Sequence, residues 1–346
     1  MPSFENPIDN TTFRVRAGFP GVVALDGDLI RASSCNIKGD QPIEAVDDID
    51  GSIDRTRYKM GQFKAGGDVA FTLDKGVALL ADGSPDLTAP GGNLSIFGKL
   101  WKACTRRTAE GKFAETHDVL VHYHSGFTYA YDSMFVDKLA LKIDNGGTLD
   151  CTASFKGRGR REAGPSDSLP NLSTADAEAP LRVISYNDVQ IGIENVNNST
   201  VNQNEFKLVK AFDVNVDNQS EEVYVIAGQL APYDILPKKR VISGSVTFFG
   251  RPESLATQAK NREDDLGVDI PHINLSLQAR IGQSFFTLVQ FRGVIFSLDN
   301  TTLTNGVIET TMQFQALGTD DTRFLAVSDF GGTSYTVTSQ PHPFPV

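Results

Sequence analysis

The side chains best suited to chemistry fall in four places. In "THDVLVHYH", His122 and His124 share one face of a strand, a spacing that suits a transition metal. His117 is out of phase with them and no third ligand can be named, so they read as a surface or interface pair. The loop "EAVDDIDGSID" gathers Asp47, Asp48, Asp50 and Asp54 around a glycine. It lacks the Asp-x-Asp-x-Asp-Gly order and the closing Glu of a calcium loop, which leaves an acidic loop facing solvent or another subunit. The cationic runs "KGRGRR" (Lys156, Arg158, Arg160, Arg161) and "KKR" (Lys238, Lys239, Arg240) have the charge to touch phosphate, yet read better as interface charge meeting acidic neighbours. No nucleophile elbow, phosphate-binding loop, His-Glu-x-x-His or paired CxxC occurs, and no two carboxylates form an identifiable acid/base pair. The expectation is no enzyme, no metal and no cofactor.

Charge supports that expectation. The chain has 346 residues, and 32 Lys and Arg against 43 Asp and Glu leave a net charge of -11, which disfavours a protein that wraps nucleic acid. Cys35, Cys104 and Cys151 lack the spacing of a zinc site or redox dithiol and read as buried reduced thiols of an intracellular protein. The opening "MPSFENPIDN" has no basic flank or apolar run, so no signal peptide is expected, and no apolar stretch is long enough to span a membrane.

The elements that must position these residues are mostly strands. Ile242, Gly244, Val246 and Phe248 alternate with Ser243, Ser245 and Thr247, the period of a half-buried strand. Leu149, Cys151, Ala153 and Phe155 form a second such face, and Ile308, Thr310, Met312 and Phe314 a third. A helix is predicted in "NLSIFGKLWKACT", capped by Asn93, with Leu94, Phe97, Leu100, Trp101 and Cys104 along one side. A more polar one starts at Pro252 and includes Leu255, Ala256 and Ala259. The segment from Gly157 to Pro180 is linker-like, and "TSQPHPFPV" reads as an extended arm.

An internal repeat emerges when two long blocks are compared. Leu29, Ala32 and Ile37 fall on Leu208, Ala211 and Val216 at an offset of 179 residues (29 to 208). Past a two-residue gap, Gly51, Gly67, Val69 and Phe71 fall on Gly228, Gly244, Val246 and Phe248 at 177 (67 to 244). "LALKIDN" then faces "VIFSLDN" at 155 (139 to 294), and Gly147, Phe155 and Gly159 face Gly306, Phe314 and Gly318 at 159 (147 to 306). The blocks keep one order, so the expected fold is mainly β with short helices (α+β): a tandem duplication of an antiparallel β-sandwich or barrel, each copy with a flanking helix. The expected boundaries are a first domain at 1–165, a linker at 166–180, a second domain at 181–330 and a C-terminal arm at 331–346.

The block "FKLVKAFDVNVDNQSEEVYVIAGQLAPYDILPKKRVISGSVTFFGR" resembles the corresponding segment of bacteriophage tail tube proteins. In that family a strand ending in an Asn-x-x-x-Glu turn leads through a long connection into a strand reading Gly-Ser-Val-Thr. The matching residues here are Asn218, Glu221 or Glu222, Gly228, Gly244, Ser245 and Val246, and the duplicated order runs from about Asp26 to Leu325. The resemblance implies a structural virion protein of the tail, assembled in the host cytoplasm. Such subunits join their inner sheets into rings, and stacked rings enclose a channel through which DNA passes into the host without specific binding. A duplicated chain implies homotrimeric rings with pseudo-sixfold symmetry, a homohexamer being the alternative. Implied partners are the tape measure, terminator and baseplate proteins, with a sheath where the tail contracts.

The long connections Pro42 to Phe63 and Ser220 to Lys239 exceed ordinary hairpin loops and mix apolar with charged residues. They are expected to reach an adjacent ring or subunit, packing Ile49, Ile53, Tyr224, Ile226, Leu230, Tyr233 and Ile235, with Lys238, Lys239 and Arg240 facing acidic residues. Whether Ser243, Ser245 and Thr247 face the channel or a neighbouring layer is left open by the sequence. The alternatives are another ring-forming tail component (terminator, baseplate ring or adaptor) or a two-domain β-sandwich that binds carbohydrate or a cell surface. The second predicts exposed aromatic platforms, whereas the single Trp101 sits in a helical pattern.

Overall fold

A computed structural model describes residues 22–319 except 26–27, 47–56, 76, 80–84, 91, 123–127, 163–181, 197–198, 227–229, 265–271, 282–283, 298–299 and 305–306. The linker and the C-terminal arm read from the sequence lie outside the described residues. The N-terminal half contains β1 (Val22–Leu25), β2 (Asp28–Ile30), β3 (Ala32–Cys35), β4 (Lys38–Asp40), β5 (Ile43–Val46), β6 (Arg57–Met60), β7 (Lys64–Thr72), β8 (Val77–Leu79) and β9 (Pro85–Pro90). After α1 (Gly92–Thr105) come β10 (His117–His122), β11 (Thr128–Ile143), β12 (Asp150–Gly157) and β13 (Arg161–Glu162). The C-terminal half has β14 (Val189–Val196), β15 (Val209–Asp217), β16 (Glu221–Val223), β17 (Asp234–Leu236) and β18 (Val241–Phe249). It continues with α2 (Glu253–Asp264), β19 (His272–Ile281), β20 (Ser284–Phe296), β21 (Asn300–Thr304) and β22 (Val307–Thr319).

Both halves lie in one antiparallel sheet. In the N-terminal half the pairing runs β3 and β4, β7, β12, β11, β10, β1; in the C-terminal half it runs β15, β18, β22, β20, β19, β14. Registers agree in detail. Ala32 faces Phe71 and Ser34 faces Ala70 across a β-bulge, while Val209 faces Phe248 and Ala211 faces Thr247 across another, each pair displaced by 177 (32 to 209, 71 to 248). The hairpins β5–β6 and β16–β17 differ by the same 177, since Glu44 faces Lys59 and Glu221 faces Leu236.

One offset therefore spans β3 to β7, and the 179 read from hydropathy corrects to 177. A slip of two residues leaves every side chain on its own face, so alternation cannot detect it. The 155 offset corrects to 160: Val136 faces Phe155 where Phe296 faces Phe314 (136 to 296). A bulge between Val136 and Lys138 shifts the phase of β11, and nothing in the residue types marks it.

The halves meet where β11 pairs β15, with Lys138 opposite Asp217 and Ile143 opposite Phe212. Among the described residues, the outer edges of β3, β4 and β21 pair with no further strand. The strand faces follow the predicted alternation in β12 and β18. Gly244 is required there, because a Cβ would come within 2.5 Å of the Phe314 ring. On β22 Thr310, Met312 and Phe314 are buried, but Ile308 is half exposed. Its counterpart Leu149 is covered, since the segment carrying Ile184 bonds across it to Leu73.

One apolar core runs through both halves. Leu94, Ile96, Phe97, Leu100, Trp101, Ala103 and Cys104 are all buried, so α1 is enclosed on most sides. Trp101 reaches the other half, meeting the Phe291 ring edge-on at 6.0 Å. Asn93 lies inside α1 and does not cap it as expected; its side chain instead exchanges hydrogen bonds with the Arg31 backbone (3.0 and 3.2 Å) and donates to the Thr72 carbonyl (2.8 Å). The Asp74 carboxylate accepts from the Asn93 N–H (3.2 Å), placing negative charge at the positive end of the helix. On α2, Leu255, Ala256 and Ala259 are buried as the pattern required.

Candidate assembly interface

The joint between the halves shows how this fold joins one sheet unit to another. Beside the β11–β15 pairing lies a polar hub centred on Asn218, which is 0% exposed. Its amide donates to the carbonyls of Cys104 (3.1 Å) and Val136 (3.0 Å), and its oxygen accepts from Arg107 and from Arg240 (3.2 Å). Arg240 also donates to the carbonyls of Thr105 and Cys104, and Arg107 to Cys104 (3.2 Å). Two guanidinium groups thus occupy the end of α1, where unpaired carbonyls and the helix dipole favour cations. Burial, then the nearby Arg240 charge, lower the Arg107 guanidinium to about 10, still charged at neutral pH.

A second contact grips the stem of the β16–β17 hairpin. Asp234 pairs with Arg158 and with Lys112 at 3.7 Å, and Ile235 is buried with Phe113 and Phe135. Lys156 reaches the Asp137 carboxylate (3.1 Å) and the Ser220 carbonyl (2.7 Å). The run "KGRGRR" thus does meet acidic neighbours, and they are in the same chain: Arg161 pairs with Asp132 at 2.9 Å, while Arg160 lies over the Tyr129 ring.

Both long connections are β-hairpin arms, β5–β6 and β16–β17. Sequence reasoning missed their strands because neither alternates over more than a few residues. Of the predicted contact residues, Ile49 and Ile53 lie outside the described residues. Ile226, Leu230 and Tyr233 are exposed near the end of the second arm, joined there by Val225. The Tyr224 hydroxyl donates to Glu222 (2.8 Å) and lies 3.2 Å from the Phe63 carbonyl, and burial, then that carboxylate, push its phenol well up. The Leu230 carbonyl accepts from the Phe63 N–H at 2.9 Å, so the second arm lies against the base of the first. Ile235 and Arg240 are engaged inside the chain, as above. Lys238 pairs with Glu221 at 2.8 Å and stays largely exposed, as does Lys239. The sequence marks Asn218 as a turn residue; its role as hub follows from burial, which the sequence does not state.

The remaining candidates have ordinary surroundings. His122 bonds Thr128 at 2.8 Å, His117 is buried, and His124 and the loop of Asp47, Asp48, Asp50 and Asp54 lie outside the described residues. Among the described residues no group of three or more potential ligands converges. The three cysteines are free thiols, and burial pushes Cys35 and Cys104 up to about 11. Among the described residues no helix is long and apolar enough to cross a membrane.

A family profile, Phage tail tube protein, matches residues 9–316. The chain belongs to that family. No curated protein matches it. Membership makes the chain a structural component of a phage tail, a virion protein that assembles with itself and with other tail proteins. Both tail tube arms and the joint between the halves fall inside the matched span.

Proposed function

We propose that the chain is the subunit of the tail tube itself: a tandem duplication, with repeats at 1–165 and 181–330, of which three copies close a pseudo-sixfold ring. The observation that carries this reading is the shared architecture of the halves, with one strand order and one 177-residue displacement that includes a bulge and an arm. Chance similarity of alternating strands does not reproduce bulge positions.

The joint between the repeats supplies the rule for closing the ring. β15 occupies the edge of β11, and its counterpart, β3 with β4, leaves an outer edge for a neighbour. The counterpart of the β11 edge, displaced by 160, falls on β21, which also has an outer edge. Pairing these edges between copies removes open strands that would otherwise template aggregation. Asn215 faces Ala140 within the chain, so Lys38 faces Asn300 of the next copy. The polar side of the closed sheet, with Thr152, Ser154, Asn215, Ser243, Ser245 and Thr247, then lines a channel for DNA. The arms stack ring on ring, with Ile226, Leu230, Tyr233, Lys238 and Lys239 at the contact and Ile49 and Ile53 on the other arm.

The test is a double variant, Lys38→Cys with Asn300→Cys, oxidised in assembled rings. The expected product is a ladder ending at the covalent trimer. Assembled rings that never cross-link, or that show six full chains in projection, would overturn the reading, and single rings that never elongate would favour a terminator, baseplate ring or adaptor.

A further inference from the structure

The two repeats present the same strand edge in different states. In the second repeat β15 is continuous, and its Val214 and Val216 face Leu141 and Leu139 of β11. In the first repeat the matching stretch is broken into β3 and β4 at Asn36 and Ile37 (209 to 32, 217 to 40). Asn36 holds the break: its N–H donates to the Asp68 carbonyl at 2.9 Å, and its side-chain oxygen accepts from the Asp68 N–H. Alternate residues of an antiparallel strand turn their main-chain groups to the same neighbour. The Asn218 N–H donates to the Asp137 carbonyl at 2.9 Å, so Val216 and Val214 also turn towards β11. Their counterparts, Gly39 and Ile37, therefore turn towards the open edge (216 to 39, 214 to 37).

Both of those carbonyls are occupied from within the chain. The Gly39 carbonyl accepts from the Arg160 guanidinium at 3.2 Å, and the Ile37 carbonyl from the Tyr131 hydroxyl at 3.4 Å. Arg160 also lies over the Tyr129 ring at 4.8 Å, and its stem covers Gly39, where a Cβ would come within 3.1 Å of it. The second repeat has none of these residues at the matching places. Thr319 stands for Arg160, Phe291 for Tyr131 and Val216 for Gly39 (160 to 319, 131 to 291). The displacement of 160 holds at that point, because the left-handed Ser133 of β11 recurs as Gly293 of β20. The edge that is paired thus has no such donors, and the edge that is open has two.

We propose that Arg160 and Tyr131 latch the ring-closing edge of the free chain, and that closing a ring exchanges their hydrogen bonds for main-chain bonds to the next copy. This inference rests on the ring reading above. An open edge in a free subunit is a template for any other strand, and a break in the strand together with side-chain donors makes it a poor one. The latch stabilises the free chain alone, so it lowers both the rate and the extent of closure. Free chains then stay apart until a growing tube supplies stacking contacts that outweigh two hydrogen bonds. The internal joint needs no such latch, since β15 reaches β11 within one chain.

Full-length Arg160→Met and Tyr131→Phe test the latch by light scattering during ring formation. Each keeps the bulk of its side chain and loses the donor. Arg160 is exposed, so Arg160→Met should melt as the unsubstituted chain does, while the lag before rings appear should shorten at least about threefold. The double variant should shorten it further. A merely structural role would act the other way, because a weakened subunit closes rings no faster. A lag unchanged or lengthened in Arg160→Met would overturn the latch, whatever Tyr131→Phe does to folding. The Lys38→Cys, Asn300→Cys cross-link, placed in both backgrounds, separates the two readings. Cross-linking at one rate with and without Arg160→Met leaves the ring and removes the latch, and cross-linking in neither removes the ring reading itself.

Discussion

Asp188 shows how one side chain ties the two halves together and makes their joint sensitive to acid. It is buried, pairs with Lys75 of the N-terminal half at 2.7 Å and Arg280 of the C-terminal half at 3.3 Å, and accepts from Ser185. Burial alone would raise its carboxyl, but hydrogen bonds from Lys75 and Ser185 outweigh that and bring it down to about 2 from 3.8. A depressed folded-state pKa contributes stability above about 4, and that contribution is lost as the pH falls towards 2. Asp188→Asn should therefore be less stable than the unsubstituted chain at pH 7, with the gap closing between pH 4 and 2 in urea titrations. Asn218 gives a larger effect without pH dependence: Asn218→Leu removes the side-chain donor to the Val136 carbonyl and the oxygen that Arg107 and Arg240 share, leaving polar groups buried at a cost of about 2–4 kcal/mol in the same titrations. Neither role was legible in the residue types, since each depends on partners far away in sequence. The face of β18 was legible throughout, because it depends only on its own period.

At the scale of elements, the alternating strands β12 and β18 were read correctly, β22 in all but Ile308, and both helices were found from their apolar stripes. The arms were not, because strands of only three or four residues hold too few alternations to be read. Their chemistry now divides into a stem and a tip. Asp234 and Ile235 belong to the stem and hold the arm to its own chain, so deleting Leu230 to Lys239 would damage the joint along with any stacking contact. A sharper change replaces residues 225–232 with a two-residue turn of the Asn-Gly type, which closes a hairpin without the tip. The shortened chain should melt within a few degrees of the original, form rings, and fail to stack them into tubes. Tubes of ordinary length in negative stain would show that stacking lies elsewhere on the ring.

On the scale of the assembled ring, the acidic balance that argued against nucleic-acid binding acquires a use. A channel for DNA must hold the duplex loosely, since each phosphate neutralised by a fixed cation adds a salt-dependent grip. The proposed lining is made of hydroxyl and amide side chains on neighbouring strands, and two of its cations are already engaged, Lys138 with Asp217 at 2.8 Å and Lys142 with Asp144 at 2.9 Å. Ser243, Ser245 and Ser154 are half-buried on that face, which the proposed bore leaves open to longer side chains. Replacing all three with Lys would place nine added cations in each ring of three chains, since every chain contributes three. Tubes of this variant should assemble normally, because none of the three sites lies at the joint or the arms, yet retain short duplex DNA at low salt and release it as salt rises. The unsubstituted tube should retain none at either salt. Equal behaviour of the two tubes would move the polar face to the outside of the ring and leave the bore to be lined by another surface.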